Sequence, residues 1–139
     1  MRLARILVAA ATLAAIAPAL AAARTADPRD PFVGSWKGRG SQSDEPGSWS
    51  IATTIVAGRP GDVVGTITYP SLACGGDLVF HGVEAGQMVL QEHITFGSCV
   101  DRGIITLGVR RDGGLTFDWR AEEGGPTATG YLRSANAPE

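Results

Sequence analysis

The sequence has few of the residues on which metal and nucleic-acid sites are built. Its 139 residues include two cysteines and two histidines, and 12 Lys and Arg stand against 14 Asp and Glu. Phosphate binding needs a basic surface, so we expect no nucleic-acid partner. His81 and His93 fall on the predicted outer surface several residues apart, and no loop has the alternating Asp and Asn spacing of a calcium site. We therefore expect no metal and no cofactor.

Motifs that mark a reaction are also missing. The sequence has no Gly-x-Ser-x-Gly elbow, no Ser, His and Asp set on one predicted face, and no cysteine in a redox motif. Cys74-Gly75-Gly76 opens a predicted strand, not a helix, so it does not form a phosphate-binding loop. The sequence therefore predicts a protein that is not an enzyme.

No segment after residue 23 has a sustained helical period, and the 19 glycines and eight prolines indicate many turns between short strands. Eight segments alternate apolar and polar residues. They are residues 32–40, 48–57, 62–69, the two strands of a hairpin ending at Phe96, 103–110, 114–121 and 127–134. We predict an all-β domain over residues 32–134, a single eight-stranded antiparallel up-and-down barrel, because closure removes exposed edges.

Both ends of the chain are predicted to lie outside the barrel. Arg2 and Arg5 precede an apolar run and then small residues up to Ala23, which is the pattern of a secretory signal peptide over residues 1–23. A membrane anchor is the alternative, but the run is short for a bilayer span. Residues 24–31 and 135–139 are expected to be a disordered lead-in and a flexible tail. We expect a secreted or periplasmic monomer with no membrane span after cleavage.

Cys74 and Cys99 are predicted to form a disulfide, since oxidation is the default for paired cysteines in an exported chain. A reactive thiol is the alternative. The connections at residues 41–47, 70–76, 97–102 and 122–126 are longer than the others. Alternate connections of an antiparallel meander lie at one end, so this end, the open end, carries every long loop and both cysteines, as the bond requires. We name the opposite end, with its short connections, the turn end.

Three hairpins can be checked for register, because an inward residue on one strand must lie opposite an inward residue on the next. The predicted pairs are Ile55 with Val63, Ile51 with Ile67 and Trp49 with Tyr69 around a loop at 58–60; Phe80 with Leu90 and Leu78 with Glu92 around 84–86; and Val109 with Leu115 and Leu107 with Phe117 around 111–113.

Glu92 interrupts an otherwise apolar inward face and is the sharpest candidate for a binding residue. The predicted inward residues near the open end are Trp49, Tyr69, Glu92, Phe96 and Trp119, with Trp36 deeper on the first strand. Aromatic walls around one carboxylate suit a small ligand, and a cationic or amine-bearing ligand would suit Glu92. The alternative is an interior filled by its own side chains, with Glu92 paired to an arginine or to Tyr69.

The rim loops carry mostly acidic residues. Those considered are Asp44, Glu45, Asp77, Asp101, Glu122 and Glu123, against Arg102 alone. Asp77, Asp101 and Arg102 are the predicted rim contacts. An acidic mouth would recruit cations, basic peptides or a basic protein, and the alternative is a solvated loop set in an acidic protein. We predict a secreted binding module that holds a small or medium ligand. The alternative is a protein-interaction module, such as an inhibitor of an extracellular hydrolase or an envelope partner.

Two resemblances support this prediction. Gly34-x-Trp36 on the first strand, with Arg133 on the last, resembles the structural signature of the calycin barrels, the lipocalins and avidins. Residues 64–76, 90–95 and 99–103 resemble secreted actinobacterial barrel domains, which occur alone or as the extracytoplasmic part of membrane serine/threonine kinases. The second resemblance implies a disulfide-bonded β domain outside the membrane, for sensing or binding. It supplies no known ligand and no catalytic residue.

Overall fold

Eight antiparallel strands form a closed barrel in the computed structural model, which describes residues 25–138. The strands are β1 (Gly34–Gln42), β2 (Trp49–Ile55), β3 (Val63–Tyr69), β4 (Cys74–Glu84), β5 (Gln87–Phe96), β6 (Gly103–Val109), β7 (Leu115–Ala121) and β8 (Thr127–Ser134). Each strand pairs with the next, and β8 pairs with β1. The predicted all-β, eight-stranded, up-and-down barrel is confirmed. The predicted signal peptide lies outside the described residues, and within 25–138 no helix has the length and apolarity to cross a membrane.

The turn end of the barrel is filled with large apolar side chains. Inward residues near this end, such as Ile55, Leu115 and Leu132, are almost completely buried. A short 3₁₀ helix, Asp30–Phe32, precedes β1 and inserts Phe32 into the same core, where it is 1% exposed. Asp30 and Pro31 of this helix were predicted as lead-in, and Phe32 was predicted to begin the first strand, which instead begins at Gly34. The filled turn end leaves the open end as the one place where the interior can meet solvent.

Two of the three predicted hairpin registers are confirmed. Val109 pairs with Leu115 between β6 and β7, as predicted. Phe80 pairs with Leu90 and Leu78 with Glu92 between β4 and β5, but the turn itself is shorter than predicted, since Glu84 already pairs with Gln87. A register shift between Phe80 and Gly82 supplies the extra residue, so the same inward face is reached by a tighter turn and a bulge.

The predicted β2–β3 register is wrong by two residues. Ile55 pairs with Gly65 rather than with Val63, because the connection occupies residues 56–62 instead of the predicted three. A slip of two residues preserves the side-chain alternation, so the inward face of β2 is unaffected. The pairing of β3 with β4 contains a register shift between Val63 and Gly65. As a result Val63 is 60% exposed and Val64 is buried. Val63 is therefore not a core residue.

Cys74 and Cys99 form the predicted disulfide, with Cα atoms 5.9 Å apart. Cys74 is the buried first residue of β4, and Cys99 lies in the connection between β5 and β6. The bond fastens two open-end loops to each other. Gly97 makes this close approach possible, because a Cβ at this position would lie 2.5 Å from the Cβ of Cys74.

Removal of the disulfide by the double change Cys74→Ala and Cys99→Ala should lower the free energy of unfolding by about 3.5 kcal/mol, because the cross-link restricts a loop of 25 residues in the unfolded chain. Urea denaturation of both proteins under oxidising conditions measures the loss. The single change Cys99→Ala should destabilise to a similar degree. Equal midpoints for the native and double-variant proteins would contradict this role of the bond.

Candidate functional site

A cavity of about 270 Å³ lies at the open end of the barrel. Strands supply its inner walls and the open-end loops supply its mouth. The lining residues are Gln42, Glu45, Trp49, Tyr69, Leu72, Glu92, Ser98, Cys99, Val100, Phe117, Trp119 and Ala128. The mouth of the barrel is therefore open, while inward residues below it, such as Leu90 and Phe117, are almost completely buried.

Several inward positions near the open end carry small residues. Gly40 on β1 and Ala128 and Gly130 on β8 are neighbours across the sheet, and Gly103 begins β6. The indole of Trp119 lies directly over Gly103, where a Cβ would come within 1.9 Å of the indole Nε1. Small residues thus leave space for the large aromatic rings and for the volume between them.

Glu92 is one of the inner lining residues of this cavity, and it is almost completely buried, at 1% exposed. Its Oε2 accepts a hydrogen bond from the Tyr69 hydroxyl at 2.5 Å, and its Oε1 accepts one from Trp119 Nε1 at 3.0 Å. Tyr69 is one of the two partners predicted for a buried Glu92. Both donors are neutral groups, and no basic side chain of residues 25–138 lines the cavity.

Burial determines the protonation chemistry of this pair. Desolvation raises the pKa of Glu92 above its ordinary value of 4.5; the hydrogen bonds from Tyr69 and Trp119 oppose this effect, and the negative charge of Asp101 adds to it. Burial and the neighbouring Glu92 raise the pKa of Tyr69 well above 10.0. Tyr69 is therefore a neutral hydrogen-bond donor at physiological pH.

Trp49 forms another wall of the cavity, and its indole nitrogen has no acceptor. Nε1 is buried, and it is the one such side-chain atom without a hydrogen-bond partner among the described residues. A buried donor left without an acceptor costs about 1–3 kcal/mol. The wall formed by Trp49 is therefore the part of the site that has an unused hydrogen-bond donor.

The mouth is positioned by two loops. A 3₁₀ helix, Pro70–Leu72, follows β3 and places Leu72 at the cavity; the Ser71 hydroxyl accepts the backbone N–H of Ser50 on β2 at 2.9 Å. On the other side, Cys99 and Val100 reach the cavity from the loop that the disulfide holds. The disulfide therefore stabilises the shape of the entrance.

Four of the six predicted ligand-binding residues line the cavity together: Trp49, Tyr69, Glu92 and Trp119. Trp36 is a correction. It lies near the turn end, where β1 begins, and its Nε1 donates to the backbone carbonyl of Phe32 at 3.0 Å. Trp36 is thus a core residue, because the first inward position of β1 is at the wrong end of the barrel to reach the cavity.

Phe96 is the second correction. It is 51% exposed, because a register shift between Gly75 and Gly76 reverses the alternation at the end of β5. Phe96 therefore pairs with the outward-facing Gly75, and its ring lies so close that a Cβ on Gly75 would meet it at 2.9 Å. The prediction assumed that inward and outward residues alternate without interruption up to Phe96. It therefore assigned Phe96 to the inward face.

The predicted rim residues lie outside the cavity. Asp77 pairs with His93 across β4 and β5. Asp101 accepts the backbone N–H groups of Ile94 and Arg102, both at 2.8 Å, and Arg102 forms an ion pair with Glu122 at 2.7 Å. Asp101 and Arg102 thus fix the β5–β6 loop, and neither lines the cavity.

Sequence reasoning missed several lining residues. Phe117 and Ala128 lie on the same inward faces as the predicted Trp119, so the side-chain alternation could have found them. The others lie in loops or at the end of a strand: Gln42, Glu45, Leu72, Ser98 and Val100. No periodic signal predicts which way a loop side chain points.

The change Glu92→Gln should remove a pH dependence of stability. The pKa of Glu92 is higher in the folded state than the ordinary 4.5, so the folded protein binds the extra proton and loses stability as the pH rises from 4.5 through the folded pKa. The loss is about 1.4 kcal/mol for each pKa unit of the rise. An amide retains a partner for both Tyr69 and Trp119 but does not titrate.

Thermal unfolding of the native and Glu92→Gln proteins between pH 4 and pH 8 measures this effect. The difference in Tm should move in favour of the variant as the pH rises. Glu84→Gln, which removes an exposed carboxylate at the turn end, is the matched control and should show no such trend. A constant difference between the native and Glu92→Gln proteins would contradict a raised pKa.

Gly103→Ala should displace the Trp119 indole, because the new Cβ would overlap its Nε1. We expect a loss of about 1–3 kcal/mol in the free energy of unfolding and a change in tryptophan emission as the bond to Glu92 breaks. Gly108→Ala on the same strand, where the nearest atom is the Thr116 hydroxyl, is the control for emission. Unchanged emission in Gly103→Ala would show that the indole is not held there.

Comparison with known proteins found no family model, no curated protein and no solved structure that matches this chain. The resemblance to secreted actinobacterial barrel domains stays a prediction. The contacts and charges of the cavity are therefore the guide to its function.

Proposed function

We propose that this protein is a non-enzymatic binding protein that holds a small ligand in the cavity at the open end of its barrel. The observation that carries the proposal is the buried Glu92 carboxylate in a cavity of about 270 Å³ walled by Trp49, Tyr69 and Trp119. Ligand sites are typically concave and apolar, with a few polar groups that orient the ligand. This cavity lies just below the usual range of about 300–1,000 Å³, so its ligand is small.

The residue type at position 92 supports a role in binding over a role in stability. Leu90 and Leu78, its neighbours on β5 and β4, are apolar and fully buried. A well-packed apolar residue usually stabilises a core as well as or better than a buried charge does. Glu92 has a raised pKa because its charge is poorly compensated. A buried carboxylate with a poorly compensated charge, at the floor of a cavity, therefore favours a role in binding a ligand in addition to its contacts with Tyr69 and Trp119.

We place the protein outside the cytoplasm, secreted or periplasmic, as a monomer. The signal-like pattern of residues 1–23 and the disulfide both favour an oxidising compartment. The histidines do not favour catalysis: His81 is exposed, and His93 lies 4.0 Å from Asp101 with both side chains about half exposed. Such an arrangement is typical of a surface pair.

A protein-interaction module is the second candidate. Leu72 and Val100 at the mouth, and Phe96 on the outer side of β5, are each about half exposed. Apolar side chains grouped on a surface are typical of interaction sites. In this version the open-end loops contact an extracellular hydrolase or an envelope protein, and the double change Leu72→Ser and Val100→Ser would abolish that contact without closing the cavity.

Tryptophan emission provides the test of ligand binding, because Trp49 and Trp119 line the cavity while Trp36 reports on the turn end. Titration with a panel of small metabolites should produce a saturable change for at least one compound. Ala128→Leu places a larger side chain in the cavity and should weaken that compound by roughly tenfold or more, which corresponds to about 1.4 kcal/mol.

Ala52→Leu is the matched control, since Ala52 alternates with the inward residues Ile51 and Thr53 and faces outward. It should bind as the native protein does. If no compound gives a saturable response, or if the response is the same in Ala128→Leu, the cavity is not the binding site.

A further inference from the structure

We infer that the ligand of this cavity is a small organic ammonium ion, whose charged nitrogen meets Glu92 and whose carbon framework packs between the aromatic rings. This inference rests on the proposed function, because it assumes that the cavity binds a ligand. It goes further by naming the chemical class.

The charges of the lining select a cation. The lining contains two carboxylates, Glu92 and Glu45, and no Lys, Arg or His. Asp101 lies close enough for its charge to act on Glu92 as well. An anion or a neutral molecule would leave the buried Glu92 charge uncompensated, whereas a cation would compensate it in a site of low dielectric.

The walls favour an organic cation over a metal ion. Trp49, Tyr69 and Trp119 present aromatic rings, whose faces attract alkylammonium groups. Calcium would need six to eight oxygen ligands, and the inner wall offers few oxygens besides those of Glu92. The Tyr69 hydroxyl and Trp119 Nε1 direct hydrogens, not lone pairs, at the carboxylate.

The geometry also favours ammonium over guanidinium. Each Glu92 oxygen already accepts one hydrogen bond, from Tyr69 on one side and from Trp119 on the other. A guanidinium binds best as a planar fork to two free carboxylate oxygens. A compact ammonium group needs only one remaining lone-pair direction, and because Glu92 is 1% exposed, its approach requires a small displacement of a neighbouring lining side chain.

The volume limits the size of the framework. A cavity of about 270 Å³ corresponds to about nine water molecules at 30 Å³ each. The part of a ligand that enters it is therefore the size of a single ring or a short chain with an amine. Benzylamine, benzyl alcohol and benzoate are therefore suitable probes, because they share one framework and differ in charge.

The three probes are titrated separately into the native protein, with emission and backbone amide NMR shifts as readouts. Benzylamine should bind roughly tenfold or more tightly than benzyl alcohol, since its positive charge compensates the Glu92 carboxylate and a neutral hydroxyl does not, and benzoate should bind most weakly. In Glu92→Gln, benzylamine should lose at least the same factor while benzyl alcohol is unchanged. Glu84→Gln, the exposed carboxylate control, should behave as the native protein.

The results separate the two levels of the proposal. If benzyl alcohol binds as tightly as benzylamine to the native protein, or if Glu92→Gln leaves benzylamine binding intact, the ammonium inference is overturned while a ligand-binding cavity stands. If benzylamine binding survives Ala128→Leu, it occurs outside the cavity and the inference is again overturned. If none of the probes binds at millimolar concentration, and the metabolite panel also gives no response, both the inference and the proposed function fail. The comparison within the native protein does not depend on any variant.

Discussion

The Glu92 carboxylate, held between the Tyr69 hydroxyl and the Trp119 indole, is the interaction on which the open end of the barrel depends. Tyr69 belongs to β3, Glu92 to β5 and Trp119 to β7, so two hydrogen bonds connect three walls that are not neighbours in the sheet. Backbone pairing joins each strand only to the next one. The carboxylate therefore connects opposite walls of the barrel by hydrogen bonds, whereas apolar packing connects them at the turn end. These bonds leave the space above the carboxylate open.

The two ends of the barrel are stabilised by different physics. The turn end is an apolar core into which Phe32 is inserted, and burial of such surface is the main driving force of folding. The open end has small inward residues and a cavity, so it gains less from burial. The Cys74–Cys99 bond and the Asp101 contacts with the loop backbone compensate for this at the rim. A stable entrance around a cavity at the mouth follows from this division.

The fold was largely predictable, because period-two alternation and turn residues determine a meander locally. The errors lie where the period is interrupted. Val63 and Phe96 were both predicted to face inward and are both exposed, and each lies at a bulge. A bulge depends on steric contacts that only the folded chain has. At Gly76, for example, a Cβ would lie 1.7 Å from the carbonyl oxygen of His93. The adjacent pair Gly75-Gly76 was the available signal, but two glycines also fit a plain loop.

The site was predictable to the extent that depth along the barrel could be counted. Trp49, Tyr69, Glu92 and Trp119 all line the cavity, and each was located by counting inward positions along a strand of known direction. Trp36 was assigned to the site wrongly. It is the third residue of β1, which begins at the turn end, so it lies at the end of the barrel opposite the cavity. Several positions at this depth carry residues with little or no side chain, so no single residue identifies the cavity from the sequence. An acidic residue on an inward face, next to strands that carry glycine and alanine at the same depth, is the combination in the sequence that points to the cavity. Either feature alone is compatible with a filled barrel, since small residues can accommodate large neighbours and a buried carboxylate can be satisfied by its own partners.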